Sequence, residues 1–201
     1  MAVGTDPHDL FAPAATGSVR RLAPNLHRLV APNPSPLTGP GTNTYVVGSG
    51  PHYLVIDPGP DDKTHIDRIL TATNVRICHV LCTHSQPDHS PGVAALEART
   101  QAVVLGQPAP DDEHQDDSYR PDRTLDDGDF VEVSGAGGRA LHTPGHASNH
   151  VCLLLEPEGW LLTGEHLMNG STVVILPPDG SMRLYLESLR RLRTLPLTAL
   201  L

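Results

Sequence analysis

Short apolar runs separated by turn-forming residues recur along the chain and predict many short β-strands. The first runs occupy residues 25–31, 44–47, 53–56 and 76–82. Residues 63–72 instead place Ile66, Ile69 and Leu70 at helical spacing. Prolines at 32, 34, 36 and 40 mark a loop after the first run, because proline removes a hydrogen-bond donor from a sheet. This alternation predicts α/β layers, with sheet inside and helices outside.

The second half of the chain continues the pattern. Ser90 and Pro91 predict the start of a helix that runs to about Arg99, with Ser90 as its N-cap. Further strands are expected at residues 102–105, 130–133, 139–142, 151–155 and 160–163. A last helix, residues 183–194, has an apolar side formed by Leu184, Leu186, Leu189 and Leu192. Residues 1–20 show no periodicity, so we expect a loose lead-in followed by one domain over residues 21–201.

Composition narrows the classes of protein. The length of 201 residues favours one domain, and no apolar run approaches the roughly 18 residues of a membrane span. An odd number of cysteines, three, without a secretion signal predicts reduced thiols and a cytoplasmic location. The net charge of −9 disfavours a general nucleic-acid binder. The twelve histidines are the anomaly, because several are grouped with Asp, Glu, Gly and Pro.

The sharpest group of polar residues directly follows the strand at residues 76–82. His84 and Gln86 are two positions apart, so an extended chain points both to one side. Asp88 and His89 then fall in the turn before the next helix. The group predicts a metal site at the carboxyl end of a strand, where α/β sheets tend to place their sites. A polar strand-to-helix turn with no metal is the alternative.

Two later groups also follow strands. Pro144 and Gly145 form a tight turn that would present His146, and Glu165 follows the strand at residues 160–163 with a carboxylate that could bridge two cations. Each alone is weak, since polar turns after strands are common. His150 and His166 are candidates for substrate contacts, although an ordinary core or surface histidine is an equal alternative for each.

Together the three groups resemble the metallo-β-lactamase superfamily. That family has a Thr-His-x-His-x-Asp-His block, a later Pro-Gly-His and then a Thr-Gly-Asp, and its Asp-x-Gly turn is similar to Asp57-Pro58-Gly59 here. The resemblance extends from about Asn43 to the end of the chain and is nearest the glyoxalase II-like and lactamase-B-like branch. It implies an αββα sandwich, truncated at the C-terminus.

The resemblance also implies a site for two metal ions. We expect this chain to bind one or two zinc ions, with iron or manganese as alternatives. His84, Gln86 and His146 would hold the first ion, Asp88 and His89 the second, and Glu165 would stand at the bridging position. Asp57 would orient the histidines. Three departures matter: Gln86 replaces a histidine, Glu165 replaces an aspartate, and the chain stops before the family's last histidine ligand.

The implied activity is metal-assisted hydrolysis of a small thioester or ester by a hydroxide formed on the metal, with Asp88 as both ligand and proton acceptor. Single-stranded RNA is the alternative substrate, weakly favoured by the arginines of the last helix and weakly opposed by the acidic balance. A non-catalytic lactamase-like domain is the alternative from another class. We expect a small-molecule partner and no membrane, and the oligomeric state stays open.

Overall fold

The computed structural model describes residues 15–201, which form two β-sheets and three helices. The first sheet has its strands in chain order: β1 (Val19–Ala23), β2 (Leu26–Val30), β3 (Asn43–Val47), β4 (Tyr53–Ile56), β5 (Ile77–Leu81), β6 (Val103–Gly106) and β7 (Arg123–Thr124). The second sheet has the order β12-β11-β10-β9-β8, with β8 (Phe130–Val133), β9 (Ala136–His142), β10 (Val151–Leu155), β11 (Trp160–Leu162) and β12 (Ala199–Leu200). The helices are α1 (Lys63–Thr73), α2 (Gly92–Thr100) and α3 (Met182–Leu192).

Three apolar clusters define the layers. Between the sheets, Val47, Leu54 and Leu105 of the first sheet pack with Leu153 of the second. The other face of the first sheet is covered by α1 and α2, through residues such as Ile66 and Leu96. Leu192 of α3 packs on the outer face of the second sheet with Leu141 and Leu161. The order helix, sheet, sheet, helix confirms the αββα sandwich predicted from the sequence.

The first sheet changes from antiparallel to parallel pairing at its middle. Strands β1 to β4 pair antiparallel, whereas β4, β5, β6 and β7 are parallel neighbours. The carboxyl ends of the parallel strands therefore lie at one edge, and Asp57 after β4 donates its N–H to the carbonyl oxygen of Leu81 at 2.9 Å. Val151, the first residue of β10, donates its N–H to Thr83 O at 2.7 Å and joins the second sheet to this edge.

The predicted range of helix α1, residues 63–72, ends one residue before the observed end at Thr73. Asp62 caps the helix by accepting the N–H of His65 at 2.8 Å. The prediction that Ser90 caps the next helix was wrong. Helix α2 begins at Gly92 with Pro91 at the cap position and no side-chain cap. The Ser90 hydroxyl instead donates to Oδ2 of Asp116 at 2.8 Å, and this bond holds its side chain toward the acidic loop.

The prediction that Leu186 lies on the buried side of the last helix was also wrong. Its side chain is 41% exposed, and the buried residues of α3 are Ser188 and Leu192. Strand β1, which includes residues 19 and 20, was not anticipated, and most of the predicted lead-in, residues 1–14, lies outside the described residues. Within residues 15–201, none of the helices is long and apolar enough to cross a bilayer.

Candidate metal centre

Three turns bring the predicted ligands together at one end of the sandwich. Gln86, Asp88 and His89 lie between β5 and α2, His146 lies between β9 and β10, and Glu165 follows β11. The ring centroid of His84 lies 4.2 Å from that of His89 and 5.0 Å from that of His146. All six candidate residues therefore line one small space, although they span 82 positions of the chain.

Two glycines allow the second and third turns to approach this closely. Gly145 has φ 155°, and a Cβ there would lie 2.4 Å from the Cα of Tyr185 in α3. Gly164 has φ 51°, and a Cβ there would lie 2.7 Å from both Nε2 of His150 and Oγ1 of Thr83. Neither turn has room for a side chain, so both glycines are required by packing as well as by backbone conformation.

The proton of His84 is fixed by a two-step relay of hydrogen bonds. The Thr83 hydroxyl donates to Oδ2 of Asp57 at 2.8 Å, so its oxygen is free to accept a proton from Nδ1 of His84, 3.0 Å away. With Nδ1 protonated, Nε2 of His84 presents a lone pair. That Nε2 is buried and forms no hydrogen bond within residues 15–201.

The same carboxylate holds His89. Oδ2 of Asp57 lies 3.0 Å from Nδ1 of His89, while Oδ1 of Asp57 accepts the N–H of Thr83 at 2.7 Å. Nε2 of His89 then faces two other carboxylates, 3.5 Å from Oδ2 of Asp88 and 3.7 Å from Oε1 of Glu165. This arrangement agrees with the expectation that Asp57 orients the histidines, and it orients two of them, one directly and one through Thr83.

His146 is held by the backbone. Its Nδ1 lies 2.6 Å from the carbonyl oxygen of Val174, and since a carbonyl only accepts, Nδ1 carries the proton. Its Nε2 then turns toward two oxygens, Oε1 of Gln86 at 3.2 Å and Oε2 of Glu165 at 3.2 Å. Gln86 thus faces the position that the sequence predicted, with its amide oxygen beside the ring.

The donor set fits a divalent cation. The Nδ1 atoms of His84 and His146 face Thr83 Oγ1 and Val174 O, and the Nδ1 of His89 lies 3.0 Å from Oδ2 of Asp57, so the Nε2 atoms of all three rings face the same space. Three further acceptors, from Gln86, Asp88 and Glu165, face that space as well. These nitrogen and oxygen atoms repel one another unless a cation or added protons lie among them. Imidazole and carboxylate ligands suit zinc or iron.

Burial and neighbouring charges shift the pKa values of the residues at this site. Burial, and then the neighbouring histidines, hold the pKa of His84 well below its ordinary value. Burial opposes ionisation of Glu165, but His89 and His146 outweigh it and lower the pKa of this carboxyl. Burial also disfavours a charged His89, yet Asp57 and Asp88 overcome it and raise its pKa well above the ordinary value. In the metal-free protein, the positive charge of protonated His89 therefore offsets the negative charge of the neighbouring carboxylates, as a bound cation would.

Two overlapping groups of residues can each hold an ion. Ligand atoms of His84, His146 and Glu165 lie within 4.8 Å of one another, and so do those of His84, Asp88 and His89. His84 belongs to both groups but has one free nitrogen. The two groups therefore compete for the same lone pair.

The two histidines proposed as substrate contacts lie behind this centre. His150 and His166 are both fully buried, with ring centroids 5.6 Å apart, and the His150 ring stacks 5.4 Å from that of His84. Thr143 Oγ1 lies 2.9 Å from Nδ1 of His150. Burial lowers the pKa of His150 well below its ordinary value and that of His166 to about 4. Their contact with a substrate stays a prediction.

Sequence reasoning missed the roles of Thr83 and Val174. Thr83 was visible as part of the first motif, and a hydroxyl beside a ligand histidine is a signal for such a relay. Val174 acts through its carbonyl oxygen, 28 positions after His146. A backbone contact at that distance has no side-chain signature, so no pattern in the sequence would have indicated it.

Comparison with known proteins identifies a family whose model matches most of the chain. The model of the metallo-beta-lactamase superfamily matches residues 37–201. The chain is 35% identical over 164 residues to a lactamase-like protein of Pestalotiopsis microspora, covering 78% of this chain and 48% of that protein. It is 32% identical over 183 residues to an atrochrysone carboxyl ACP thioesterase of Emericella nidulans, covering 88% and 54% respectively. The chain thus spans about half the length of the curated relatives it matches.

Solved structures share the architecture. The crystal structure of ETHE1 from Myxococcus xanthus aligns with a TM-score of 0.64 at 26% sequence identity. The alignment covers 83% of this chain and 68% of that one. The chain therefore shares its overall architecture with a protein solved by crystallography.

Proposed function

The chain belongs to the metallo-β-lactamase superfamily, and from that premise we propose that it is a metal-dependent hydrolase of acyl thioesters. The observation that carries the proposal is the convergence of the Nε2 atoms of three histidines on the oxygens of Asp88, Glu165 and Gln86. A relative that is 32% identical over 88% of this chain is named a thioesterase, which supports the choice of substrate class.

His84, His146 and Glu165 would hold the tighter ion, and Asp88 with His89 would hold or share a weaker one. When bound, a divalent zinc ion would lower the pKa of water and polarise the thioester carbonyl. The cytoplasmic location predicted from the three cysteines stays a prediction, and zinc is our proposal among the metals that imidazole and carboxylate ligands accept.

Asp88 is the residue placed to move protons. Its side chain is 25% exposed, compared with 6% for His89 and 17% for Glu165, so it is the carboxylate that water and substrate reach. The Thr42 hydroxyl donates to the Asp88 carbonyl oxygen at 2.9 Å and fixes the backbone of this residue. Asp88 would accept the proton of the attacking water and later give it to the departing sulfur.

A cavity of about 750 Å³ opens beside His89 and Glu165, within the size range of small-molecule sites. Its walls include Leu162, Leu167 and Met168. This apolar lining next to the carboxylates would accept the acyl group of a thioester. Thiols have a pKa of about 8.5, so the thiolate leaves without help from a strong acid, and no further acidic side chain is needed.

The test measures thiol release from acyl thioesters by protein loaded with zinc, with the chelated protein and an Asp88→Asn variant alongside. We expect turnover that depends on metal and falls about 100-fold or more in Asp88→Asn, a usual effect for loss of a general base. Asp61→Asn, on the exposed surface, is the matched control and should keep full activity.

Two results would overturn the proposal. Metal-loaded, folded protein that releases no thiol from short-chain or long-chain thioesters would favour the non-catalytic lactamase-like domain. Cleavage of a single-stranded RNA oligonucleotide, blocked by Asp88→Asn, would favour the phosphodiesterase alternative. Equal activity of Asp88→Asn and Asp61→Asn would remove the role assigned to Asp88.

A further inference from the structure

Helix α3 leaves an apolar stripe in solvent. Met182 is 57% exposed and Leu186 is 41% exposed, and Leu189 lies one turn further along the same side. The helix already has a buried side, formed by Ser188 and Leu192. The stripe is therefore additional to the surface that packs on the second sheet, and no described residue covers it.

Arginines border this stripe. Arg190 follows Leu186 by one helical turn, and Arg193 follows it by two. Both are exposed, and neither forms an ion pair with any residue between positions 15 and 201. Arg191, in contrast, points elsewhere and pairs with Asp127 at 2.8 Å. We call Met182, Leu186, Arg190 and Arg193 the α3 face.

The α3 face is basic in a chain of net charge −9. The rest of the chain therefore carries a net negative charge, which disfavours an acidic macromolecule, while the arginines of this face attract one. Such an asymmetry orients the approach of an acidic partner and raises its association rate. Exposed Met and Leu side chains beside Arg190 and Arg193 also match the usual anatomy of a docking site, with an apolar centre and a polar rim that here includes the Arg183–Glu187 ion pair.

The α3 face lies beside the candidate metal centre. Ser181, the N-cap of α3, donates its N–H to Gly145 O at 2.8 Å, and the Ser188 hydroxyl donates to Pro144 O at 2.9 Å. These bonds attach the helix to the turn that carries His146. A partner seated on α3 would thus sit at the edge of the site.

We propose that the α3 face docks an acidic carrier protein that presents the acyl group to the metal centre as a thioester. The inference rests on the proposed function, because only a thioesterase needs such a donor. Water would add its oxygen to the acyl carbon, the C–S bond would break, and the products would be a carboxylic acid and the free thiol of the carrier. The proton released by water would go to that sulfur.

The experiment uses an acidic acyl carrier protein loaded with a butyryl thioester, and the butyryl thioester of N-acetylcysteamine as the small substrate. The variant is Arg190→Glu/Arg193→Glu. Its control is Arg76→Glu/Arg123→Glu, which changes the net charge equally at exposed arginines of the first-sheet side. Met182→Ser/Leu186→Ser tests the apolar half of the face.

We expect carrier affinity, measured by fluorescence anisotropy, to fall about tenfold or more in the α3 variants and to stay within about twofold in the control. The kcat/KM for the carrier thioester should fall with it, while that for the small thioester stays unchanged. Because binding is read separately, loss of all hydrolysis would refute the proposed function and leave the docking result to decide this inference.

The inference is overturned if the control weakens carrier binding as much as the α3 variants do, or if no variant changes it. Two other occupants would give distinct results. A second copy of the chain would appear as a dimer in sedimentation that dissociates on Met182→Ser/Leu186→Ser. A single-stranded RNA would bind the parent protein and displace the carrier, and it would lose affinity in Arg190→Glu/Arg193→Glu.

Discussion

Oδ2 of Asp57 lies 3.0 Å from Nδ1 of His89, and the same oxygen accepts the Thr83 hydroxyl at 2.8 Å. One buried carboxylate thus fixes the orientation of His89 directly and that of His84 through Thr83. Both rings then present Nε2 to the carboxylates of the centre. We therefore expect the metal affinity of the candidate centre to depend on Asp57, although Asp57 belongs to neither candidate ligand group.

Replacing Asp57 with asparagine should weaken zinc binding by about 10–100-fold, the usual cost of losing such a partner. The amide has one oxygen where the carboxylate has two. It cannot both accept the N–H of Thr83, as Oδ1 does, and face the Thr83 hydroxyl and Nδ1 of His89, as Oδ2 does. Asparagine tolerates the positive φ of 49° at this position, so the backbone is not the cause. Titration against a chromophoric chelator measures the affinity.

The exposed Asp61→Asn variant is the control for loss of a charge near α1. It should bind zinc as the parent does. If Asp57→Asn binds zinc as tightly as Asp61→Asn, Asp57 does not position the histidines.

A second prediction concerns the number of ions. His84 belongs to both candidate ligand groups, and its Nδ1 proton is directed to Thr83, so only Nε2 can bind. One ion that takes this nitrogen together with His146 and Glu165 leaves the second group with Asp88 and His89. Metal analysis after equilibration with zinc should find one tight equivalent, with a second about 100-fold weaker, by analogy with single-partner effects at metal sites.

Native mass spectrometry across a zinc titration provides the check. Singly loaded protein should accumulate before doubly loaded protein appears. Two equivalents that load together would show that His84 is not shared, and that Gln86 or Glu165 completes a separate second site.

The sequence could indicate that the six candidate residues lie close together because each occupies a turn that comes after an apolar run with the character of a strand. Their role as ligands stays a prediction. Spacing within His84 to His89 and the Pro144-Gly145 turn constrain where these side chains point, whatever the packing. Predictions that depended on competition between contacts were less secure. Ser90 is a good N-cap in isolation, but its hydroxyl donates to Asp116, 26 positions away, and that bond fixes where its side chain lies.

The face that α3 buries could not be read from its sequence either. Leucines surround much of the helix, and the side that faces the sheet is chosen by contacts with Leu141 and Leu161. The hydroxyl of Ser188 also bonds to Pro144 O at 2.9 Å. These partners come from strands and turns that are distant in the sequence, and the pattern of the helix alone does not reveal them. The pattern therefore placed Leu186 on the apolar side, although its side chain lies in solvent.

A third prediction concerns stability at low pH. His65 is fully buried in α1, and burial lowers its pKa to about 4, with Asp62 opposing this in part. Thr44 Oγ1 donates to Asp57 O at 2.6 Å and lies 2.8 Å from Nε2 of His65, so it accepts the Nε2 proton. Nδ1 of His65 has no hydrogen-bond partner within residues 15–201, so a second proton would be buried without an acceptor.

The unfolded chain protonates this ring near pH 6.5 and the folded chain only near pH 4. The contribution of His65 to the free energy of unfolding is therefore fully present above pH 6.5. It is lost as the pH falls to 4, a decrease of about 3 kcal/mol at most. His65→Gln should flatten that decline in the free energy of unfolding, measured by urea titration of chelated protein. His114→Gln, at an exposed position, should decline as the parent does, and an unchanged slope in His65→Gln would contradict the assignment.

The last prediction isolates Gln86. Its amide oxygen lies 3.2 Å from Nε2 of His146, so its side chain already reaches the position of a ligand. A neutral amide is a poorer ligand for zinc than imidazole. Gln86→His should therefore tighten zinc binding by about 10–100-fold, by analogy with the size of single-partner effects at metal sites.

Competition with a chromophoric chelator measures this affinity, and Gln101→His, on the exposed C-cap of α2, controls for an added histidine. Thioester hydrolysis should rise with affinity if the parent is limited by metal loading. Tighter zinc without any thiol release would support the non-catalytic alternative, because the metal would then be present and the chemistry absent. Unchanged or weaker zinc binding would show that the centre is built around the amide, with Glu165, one methylene longer than aspartate, taking the space that a second imidazole would need.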